Sequence, residues 1–483
     1  MKKIVIPSII LLLMPALSLA LTNIDPQWLT DHGPSPYYLD TAGETYVLQT
    51  DVNTAGTAFV LLNQNITFDL GGHIVTFGDS LPIVVPNGDF EEPGGWSFGT
   101  APNAERALGT FVQPVSVYSG SYALKFKMPA SDQSIRTLES VTLEANSTYT
   151  LSAKFYSIDY YDNPGVDTVK VYVKLDGTSI ETSQTGITWR GFQHRSVKFA
   201  TGPTPETYHL VAGIEGATAK GSVYIDDIRI QKYMHHGIVA GIAGWQASLA
   251  PDVKRAGDNG SASGAILRNG TIRQGRAFGE ESHGVFFAAL NRNIEVENMN
   301  ITVQGVNSIN ILVHENCHGI RLHDNTLTSD VKTITSRDNG DGIMIHVVQG
   351  ASGVEIFNNT LMGGPQGGIS LERTTDISKI HGNTIYLKTR YSNGFGIISH
   401  DAEVYNNTIN CHEGDYSCRG MYVSDNSNVH NNIVHARELP RNQEYNGCCL
   451  GGAYGVQLEG GLNIDFYNNT VTAYSNERLC ENS

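Results

Sequence analysis

Alternating apolar and polar positions form a phrase that recurs along the C-terminal half of the chain. Val354–Leu361 reads Val-Glu-Ile-Phe-Asn-Asn-Thr-Leu, and Ala402–Ile409 and Ile464–Val471 repeat it closely. The alternation predicts a short β-strand with one buried side. The Asn-Asn pair predicts a corner, because asparagine tolerates the left-handed backbone region and bonds its own backbone. The sequence therefore predicts a stack of strand-and-corner units.

The spacing of the copies indicates the architecture. Aligned positions in successive copies lie 24 residues apart at the shortest (359 to 383) and 37 at the longest (432 to 469). A base period near 24 is too short for helical repeats or propeller blades, and it fits a β-solenoid. Stacked coils would align the asparagines in a ladder. Asn358, Asn406 and Asn468 also stand in glycosylation sequons, but the corner explains them without modification.

The repeat over 264–475 resembles the right-handed parallel β-helix proteins of the pectate-lyase-like superfamily, and Asn65–His73 resembles an early coil of such a helix. The resemblance implies an all-β fold, a right-handed parallel β-helix (solenoid) with N-terminal coils over 21–85 and the main helix over 233–483. It implies little about the substrate, since one scaffold supports many chemistries.

The repeat disappears over 86–232, where short alternating strands separated by Gly, Pro and Asn turns predict a β-sandwich. The opening phrase Asn87–Trp96 and the closing phrase Tyr224–Ile230 resemble carbohydrate-binding modules of the family 4 and 9 type, which implies an inserted jelly roll with a buried Trp96. A structural calcium often links the first and last strands of that family. The resemblance makes three carboxylates candidate ligands: Asp89, Glu91 and Asp227. The alternative interpretation is that Asp89 and Asp226 make turn hydrogen bonds.

The first twenty residues have the pattern of a signal peptide, with Lys2 and Lys3 before the apolar run Ile4–Leu17 and a small residue, Ala20, at the cleavage position. This predicts a secreted, extracellular or periplasmic protein. No later stretch is apolar enough to span a bilayer, so we expect no membrane insertion. A net charge of −16 without a basic run argues against a nucleic-acid partner.

Export permits disulfides among the six cysteines. Cys411 and Cys418 are spaced to close a short loop, and the Cys448-Cys449 doublet is placed to reach Cys317 or Cys480. Six cysteines allow fifteen pairings, and the sequence does not choose between them.

A second repeated strand begins with glycine: Gly342–His346, Gly368–Glu372 and Gly396–His400 are the first examples. Aligning the glycines predicts an outward column that holds His346, Glu372, His400, Ser424 and Glu459. A solvated polar face is one explanation, but this density of titratable groups favours chemistry. Long loops with cationic residues over the same side favour a binding cleft. The predicted catalytic residues are His346, Glu372, Arg373, His400, Asp341 and Lys332, and the predicted substrate-binding residues are Arg337, Arg390, Tyr391 and Asp425.

These residues favour a lyase that cleaves an acidic, uronic-acid polysaccharide by β-elimination, with arginine or calcium neutralising the carboxylate. A glycoside hydrolase on the same scaffold is the second enzymatic interpretation, and a non-catalytic glycan-binding or adhesin β-helix is the third. Asp338–Ile343 resembles a polygalacturonase stretch, but the Asp-Asp pair and the Gly-His-Gly of that family are missing, so its hydrolytic roles are not transferred. The expected partner is a polysaccharide.

Overall fold

The computed structural model describes residues 20–80, 83–99, 101–108, 121–127, 132–157, 169–185, 193–216, 222–232, 234–242, 252–253, 255, 257, 260–276, 281–305, 307–329, 342–364, 366–388, 393–412, 417–437, 453–459 and 463–474. Most of the signal-peptide pattern lies outside these ranges, so export stays a prediction.

Short strands and one helix form the first described part of the chain. They are β1 (Leu21–Ile24), α1 (Pro26–Asp31), β2 (Tyr37–Leu39), β3 (Thr45–Leu48), β4 (Val52–Asn53), β5 (Phe59–Leu61), β6 (Thr67–Asp69) and β7 (Ile74–Phe77). Asp25 caps α1 by accepting the backbone N–H of Trp28. In the part of the chain that the structure describes, no helix is long and apolar enough to cross a membrane.

The next strands form two facing antiparallel sheets of five strands each, with a separate two-stranded pair. The strands are β8 (Trp96–Ser97), β9 (Ala104–Leu108), β10 (Tyr122–Lys127), β11 (Gln133–Thr137), β12 (Val141–Leu143), β13 (Thr148–Ser157), β14 (Lys170–Leu175), β15 (Glu181–Thr185), β16 (Gln193–Ala200), β17 (Glu206–Tyr208), β18 (Leu210–Glu215) and β19 (Ser222–Lys232). One sheet has the order β16-β13-β19-β10-β9 and the other β15-β14-β18-β11-β8. Apolar side chains from both sheets share one buried cluster, as in a sandwich.

The remaining strands are parallel and continue the sheets begun by β1–β7. They are β20 (Ile238–Ala240), β21 (Ile266–Gln274), β22 (Val285–Phe287), β23 (Arg292–Val303), β24 (Ile311–Val313), β25 (His318–His323), β26 (Thr326–Ser329), β27 (Ile343–Val347), β28 (Glu355–Phe357), β29 (Thr360–Gly363), β30 (Gly367–Leu371), β31 (Ser378–His381), β32 (Thr384–Lys388), β33 (Asn393–His400), β34 (Ala402–Tyr405), β35 (Thr408–His412), β36 (Ser417–Ser424), β37 (Asn428–His430), β38 (Ile433–Arg437), β39 (Ala453–Glu459), β40 (Asp465–Tyr467) and β41 (Thr470–Tyr474).

Each coil of the main helix contributes one strand to each of three parallel faces, which confirms a β-helix interrupted by a sandwich. Face I contains β25, β28, β31, β34, β37 and β40, and face II contains β26, β29, β32, β35, β38 and β41. Face III contains β2, β5, β20, β22, β24, β27, β30, β33, β36 and β39. The long strands β21 and β23 turn from face I into face II.

The corner between faces I and II is built by the Asn-Asn pairs, as predicted. The first asparagine of a pair adopts a positive φ, 55° at both Asn358 and Asn406. The second points inward and bonds the equivalent residue of the next coil, so that Nδ2 of Asn359 lies 3.0 Å from Oδ1 of Asn383. The ladder runs through Asn325, Asn359, Asn383, Asn407, Asn432 and Asn469. It supplies hydrogen bonds to buried backbone groups where the strands end.

Face I carries a stack of rings on its outer side. His381 lies between Phe357 and Tyr405, with ring centres 5.1 and 4.7 Å away. Its Nε2 is 3.4 Å from a carboxylate oxygen of Glu355. Alternating charges beside the stack pair with each other, as Arg321 does with Glu295. These polar groups of face I therefore have their hydrogen-bond and ion-pair partners on the same face.

Candidate functional site

Face III changes character along the helix. In its early coils the outward residues Val60, Val239 and Phe286 are buried and belong to a separate apolar cluster that includes Val253. From β27 onward the same column continues as His346, Ser370, Ile398, Tyr422 and Gln457. The outward side chains of β27, β30, β33, β36 and β39, together with the residues that directly follow these strands, are called the face III surface below. It is the polar part of this face, and it carries the residues of the predicted column.

His346 and Glu372 form a hydrogen-bonded pair on the face III surface. Nε2 of His346 is 2.9 Å from Oε1 of Glu372, and the side chains are 20% and 41% exposed. The second carboxylate oxygen accepts the backbone N–H of Gln349 at 3.1 Å. The hydrogen bond from His346 lowers the pKa of Glu372, although partial burial opposes the shift. Glu372 is therefore an ionised carboxylate with both oxygens engaged.

This arrangement orients the imidazole. An ionised carboxylate accepts hydrogen bonds only, so the ring nitrogen facing Glu372 carries a proton. In the neutral ring the other nitrogen, Nδ1 of His346, has a lone pair that can take a proton from a bound molecule, and Glu372 stabilises the imidazolium that results. The pair has the arrangement of a general base, His346, that is oriented by a carboxylate, Glu372.

Two further histidines adjoin His346, and the sequence did not single them out. Burial lowers the pKa of His314, which also interacts electrostatically with His346 and Glu372. Burial lowers the pKa of His283 much further, and the nearby His236, His346 and His314 lower it too. Both rings are therefore neutral at ordinary pH. Their closeness to His346 follows from the stacking of coils, which no local motif reveals.

His400 lies one coil beyond Glu372. Its Nδ1 bonds the hydroxyl of Ser424 on the following coil, and its charge also lowers the pKa of Glu372. The ring of Tyr422 meets His400 edge-on, with centres 6.5 Å apart. Arg373, 76% exposed, lies 3.6 Å from Asp425 two coils away. The structure thus brings five of the predicted residues onto one surface.

The predicted column needs one correction. His400, Ser424 and Glu459 do share a column, but His346 pairs with Ser370 rather than with Glu372. Gly342 has a φ of 86° and marks a turn, so it does not align with Gly368. His346 therefore lies in the neighbouring column and reaches Glu372 diagonally. The other predicted residues of this site lie outside the described ranges: Asp341, Lys332, Arg337, Arg390 and Tyr391.

The three carboxylates predicted to bind calcium have other partners in the structure. Glu91 accepts the backbone N–H groups of Ser121 and Tyr122, both at 2.8 Å. Asp227 lies 2.6 Å from the guanidinium of Arg229. Asp89 makes the turn hydrogen bond that was its alternative role, to the N–H of Glu91. Calcium at this place stays a prediction.

A different group of side chains, which the sequence did not single out, has the spacing of metal ligands among the described residues. Donor atoms of Glu295, Glu297 and His323 all lie within 4.8 Å of one another. Arg321 is 2.7 Å from Glu295, however, and Arg268 is 4.0 Å from Glu297. The cluster is therefore an ion-pair network, and its His323 belongs to the stack of rings on face I.

The sandwich buries the tryptophan expected in its core. Trp96 is 3% exposed, packs on Phe90 at 5.4 Å and donates its indole N–H to the carbonyl of Asn87. It is therefore not a sugar platform.

No protein-family model matches this chain, and no curated protein matches it either. Solved structures do. A family 16 carbohydrate-binding module is 19% identical over 30% of this chain and 97% of its own, with a TM-score of 0.22. The module TmCBM61, solved with β-1,4-galactotriose, is 16% identical over 32% and 99%, with a TM-score of 0.24. The N-terminal cellulose-binding domain of Cellulomonas fimi β-1,4-glucanase C is 19% identical over 32% and 99%, with a TM-score of 0.18. Similarity at these TM-scores decides nothing about the function of this chain.

Proposed function

We propose that this protein is a polysaccharide-degrading β-helix enzyme that binds an acidic polysaccharide on the face III surface and cleaves it by β-elimination. The observation that carries the proposal is the His346–Glu372 pair. Its 2.9 Å hydrogen bond and the N–H of Gln349 hold an ionised carboxylate against an oriented imidazole. Histidine–glutamate pairs also occur on face I, so the proposal depends as well on the neighbours of this pair, His400 and Arg373.

The proposed reaction uses the groups of this surface as follows. Nδ1 of His346 removes the proton from C5 of a uronate residue, beside its carboxylate. The electron pair forms a C4–C5 double bond while the bond from C4 to the glycosidic oxygen breaks. Arg373 directly follows Glu372 and would neutralise the uronate carboxylate by leaving Asp425. His400 would protonate the departing oxygen.

The alternatives fit the described residues less well. A hydrolase needs two carboxyl groups about 5 Å or about 6.5–9.5 Å apart, one of them available as an acid. On the face III surface Glu372 is paired with His346 and Asp425 with Arg373. A lowered pKa for Glu372 also opposes the role of proton donor. A purely binding surface is distinguished by the test, since it would form neither the double bond nor new reducing ends.

The test is the ultraviolet absorbance of the new double bond, followed with oligogalacturonate and oligoalginate, with and without calcium. A matched pair of variants makes it specific. His346→Gln should lower the rate by roughly 10²- to 10⁴-fold, as the loss of a general base does. His381→Gln is the control, because His381 is equally buried at 21% exposure and also faces a glutamate, but on face I.

His381→Gln should retain the parent rate. New reducing ends without the absorbance change would establish hydrolysis and overturn the proposal. Equal rates for parent and His346→Gln would remove His346 from the chemistry.

A further inference from the structure

A disulfide fixes the corner where face II turns into face III. Cys411 in β35 and Cys418 in β36 are bonded, with Cα atoms 5.9 Å apart, and both are fully buried. This is one of the pairings that the sequence left open. Arg419 follows Cys418 directly, so its backbone is held by the covalent link.

Arg419 projects among aromatic residues on the face III surface. It is in register with Phe395 on the preceding coil and with Tyr454 on the following one. Its guanidinium carbon is 5.9 Å from the ring centre of Tyr454, which is 50% exposed, whereas Phe395 is 7% exposed. Arg419 thus stands between two aromatic residues of the stack, and the half-exposed ring of Tyr454 lies beside its guanidinium.

The guanidinium has an unused donor. Nε of Arg419 is buried and has no hydrogen-bond partner among the described residues. Two carboxylates of the face III surface, Glu372 and Asp425, are paired with His346 and Arg373 instead. A buried N–H without an acceptor costs free energy unless a ligand supplies the oxygen.

We propose that Arg419, with Tyr454 and Phe395, is a binding subsite for the carboxylate of an acidic sugar residue. The planar guanidinium offers two parallel N–H groups to a carboxylate, and the half-exposed ring of Tyr454 offers an apolar face to the sugar C–H groups. Arg419 lies two coils beyond Glu372, roughly 10 Å along the helix axis. In the register it also lies five residues earlier along the strand than the column of Glu372, His400 and Ser424, roughly 16 Å to one side. It therefore holds a sugar residue distant from the one that reacts. The assignment rests on the proposed function for the identity of the ligand.

The experiment measures binding separately from cleavage. The affinity of oligogalacturonate and of oligoalginate for the His346→Gln protein is measured by calorimetry, and Arg419→Gln is then added. The affinity for the better ligand should fall roughly 10- to 100-fold, the usual effect of losing a charge-assisted hydrogen bond. The same oligosaccharide with its carboxyl groups reduced to alcohols should bind both proteins alike. Arg419→Lys, which keeps the charge but not the fork, should recover only part of the loss.

Arg321→Gln is the matched control, because Arg321 also lies over an aromatic ring, 5.5 Å from Phe357, but on face I. It should leave the affinity unchanged. Three results would each overturn the subsite: equal affinities with and without Arg419, no binding by the His346→Gln protein, or an equal loss for the reduced oligosaccharide. Failure of elimination alone is distinguishable, since the parent would then bind through Arg419 without forming the double bond.

Discussion

The replacement Asn383→Ala removes one rung of the buried asparagine ladder, and the structure allows its cost to be worked out. Asn383 is 1% exposed. Its Oδ1 accepts the backbone N–H of Asn359 and the side-chain amide of that residue, both at 3.0 Å. Its Nδ2 donates to the carbonyls of Ile356 and His381 and to Oδ1 of Asn407. Alanine can make none of these bonds.

The largest single cost is the buried N–H of Asn359, which loses its acceptor. An orphaned buried donor costs about 1–3 kcal/mol, and each of the three bonds from Nδ2 contributes roughly 1 kcal/mol net. The expected loss is about 4–6 kcal/mol of unfolding free energy, a large part of the ~5–15 kcal/mol that proteins usually have. The coils next to Asn383 should therefore open at lower denaturant concentration than the rest.

The assay is urea denaturation followed by circular dichroism, with Asn406→Gly as the matched control. Asn406 is an exposed corner asparagine with a φ of 55°, a conformation that glycine adopts freely, so its replacement should cost less than about 1 kcal/mol. A loss below about 1 kcal/mol for Asn383→Ala would refute the reasoning, because the ladder would then not satisfy the buried backbone.

Two other predictions concern stability. Burial lowers the pKa of His323, but its hydrogen bonds to Glu295 and Asp324 outweigh burial and leave the pKa raised. Its stabilising contribution is therefore complete below the unfolded pKa and is lost as pH rises through the folded one, so the free-energy difference between the parent and His323→Gln should shrink as pH rises above the ordinary histidine pKa of about 6.5 in urea titrations. A constant difference would contradict this. The double variant Cys411→Ala/Cys418→Ala opens a short loop and should lower the unfolding free energy by about 2–3 kcal/mol. Calorimetric melting with and without reductant checks it, and a parent insensitive to reductant would count against it.

The coils were predictable because their determinants are local and repeated. An αL-tolerant Asn358 followed by an inward Asn359 can be read from one copy, and the period says that the next copy lies above it. The sandwich was predictable from alternation and turn residues alone. Cys317 was less predictable: it is a free thiol buried in the core, where burial raises its pKa to about 12, so it does not bridge to the cysteine doublet.

Arg419 illustrates a second limit of prediction from the sequence. Nothing in the residues around it marks an anion site, since its neighbours Phe395 and Tyr454 come from other coils. The Cys411–Cys418 spacing suggested a short loop but not what that loop holds in place. Sites assembled across coils become visible only when the register of the stack is known.

The predicted register of the face III strands is wrong at one point, and two glycines explain why. Gly368 is required by crowding, because a Cβ there would lie 2.5 Å from the carbonyl oxygen of Gly396 in the next coil. Gly342 is required by its backbone, which has a φ of 86°. The sequence shows glycine at both positions, and aligning them shifts the coil by two residues. In the observed register Ile345 stacks on Ile369, so the buried Met344, which precedes Ile345, is the counterpart of Gly368.

That shift decides the chemistry of the pair. With the glycines aligned, His346 would lie directly below Glu372 and His400 in one row of stacked side chains. With the observed register it lies one column to the side, where Nε2 meets the carboxylate at 2.9 Å while Gln349, farther along the same coil, donates to the other oxygen. The diagonal placement lets one coil supply both donors to Glu372, and this is what leaves Nδ1 of His346 as the acceptor.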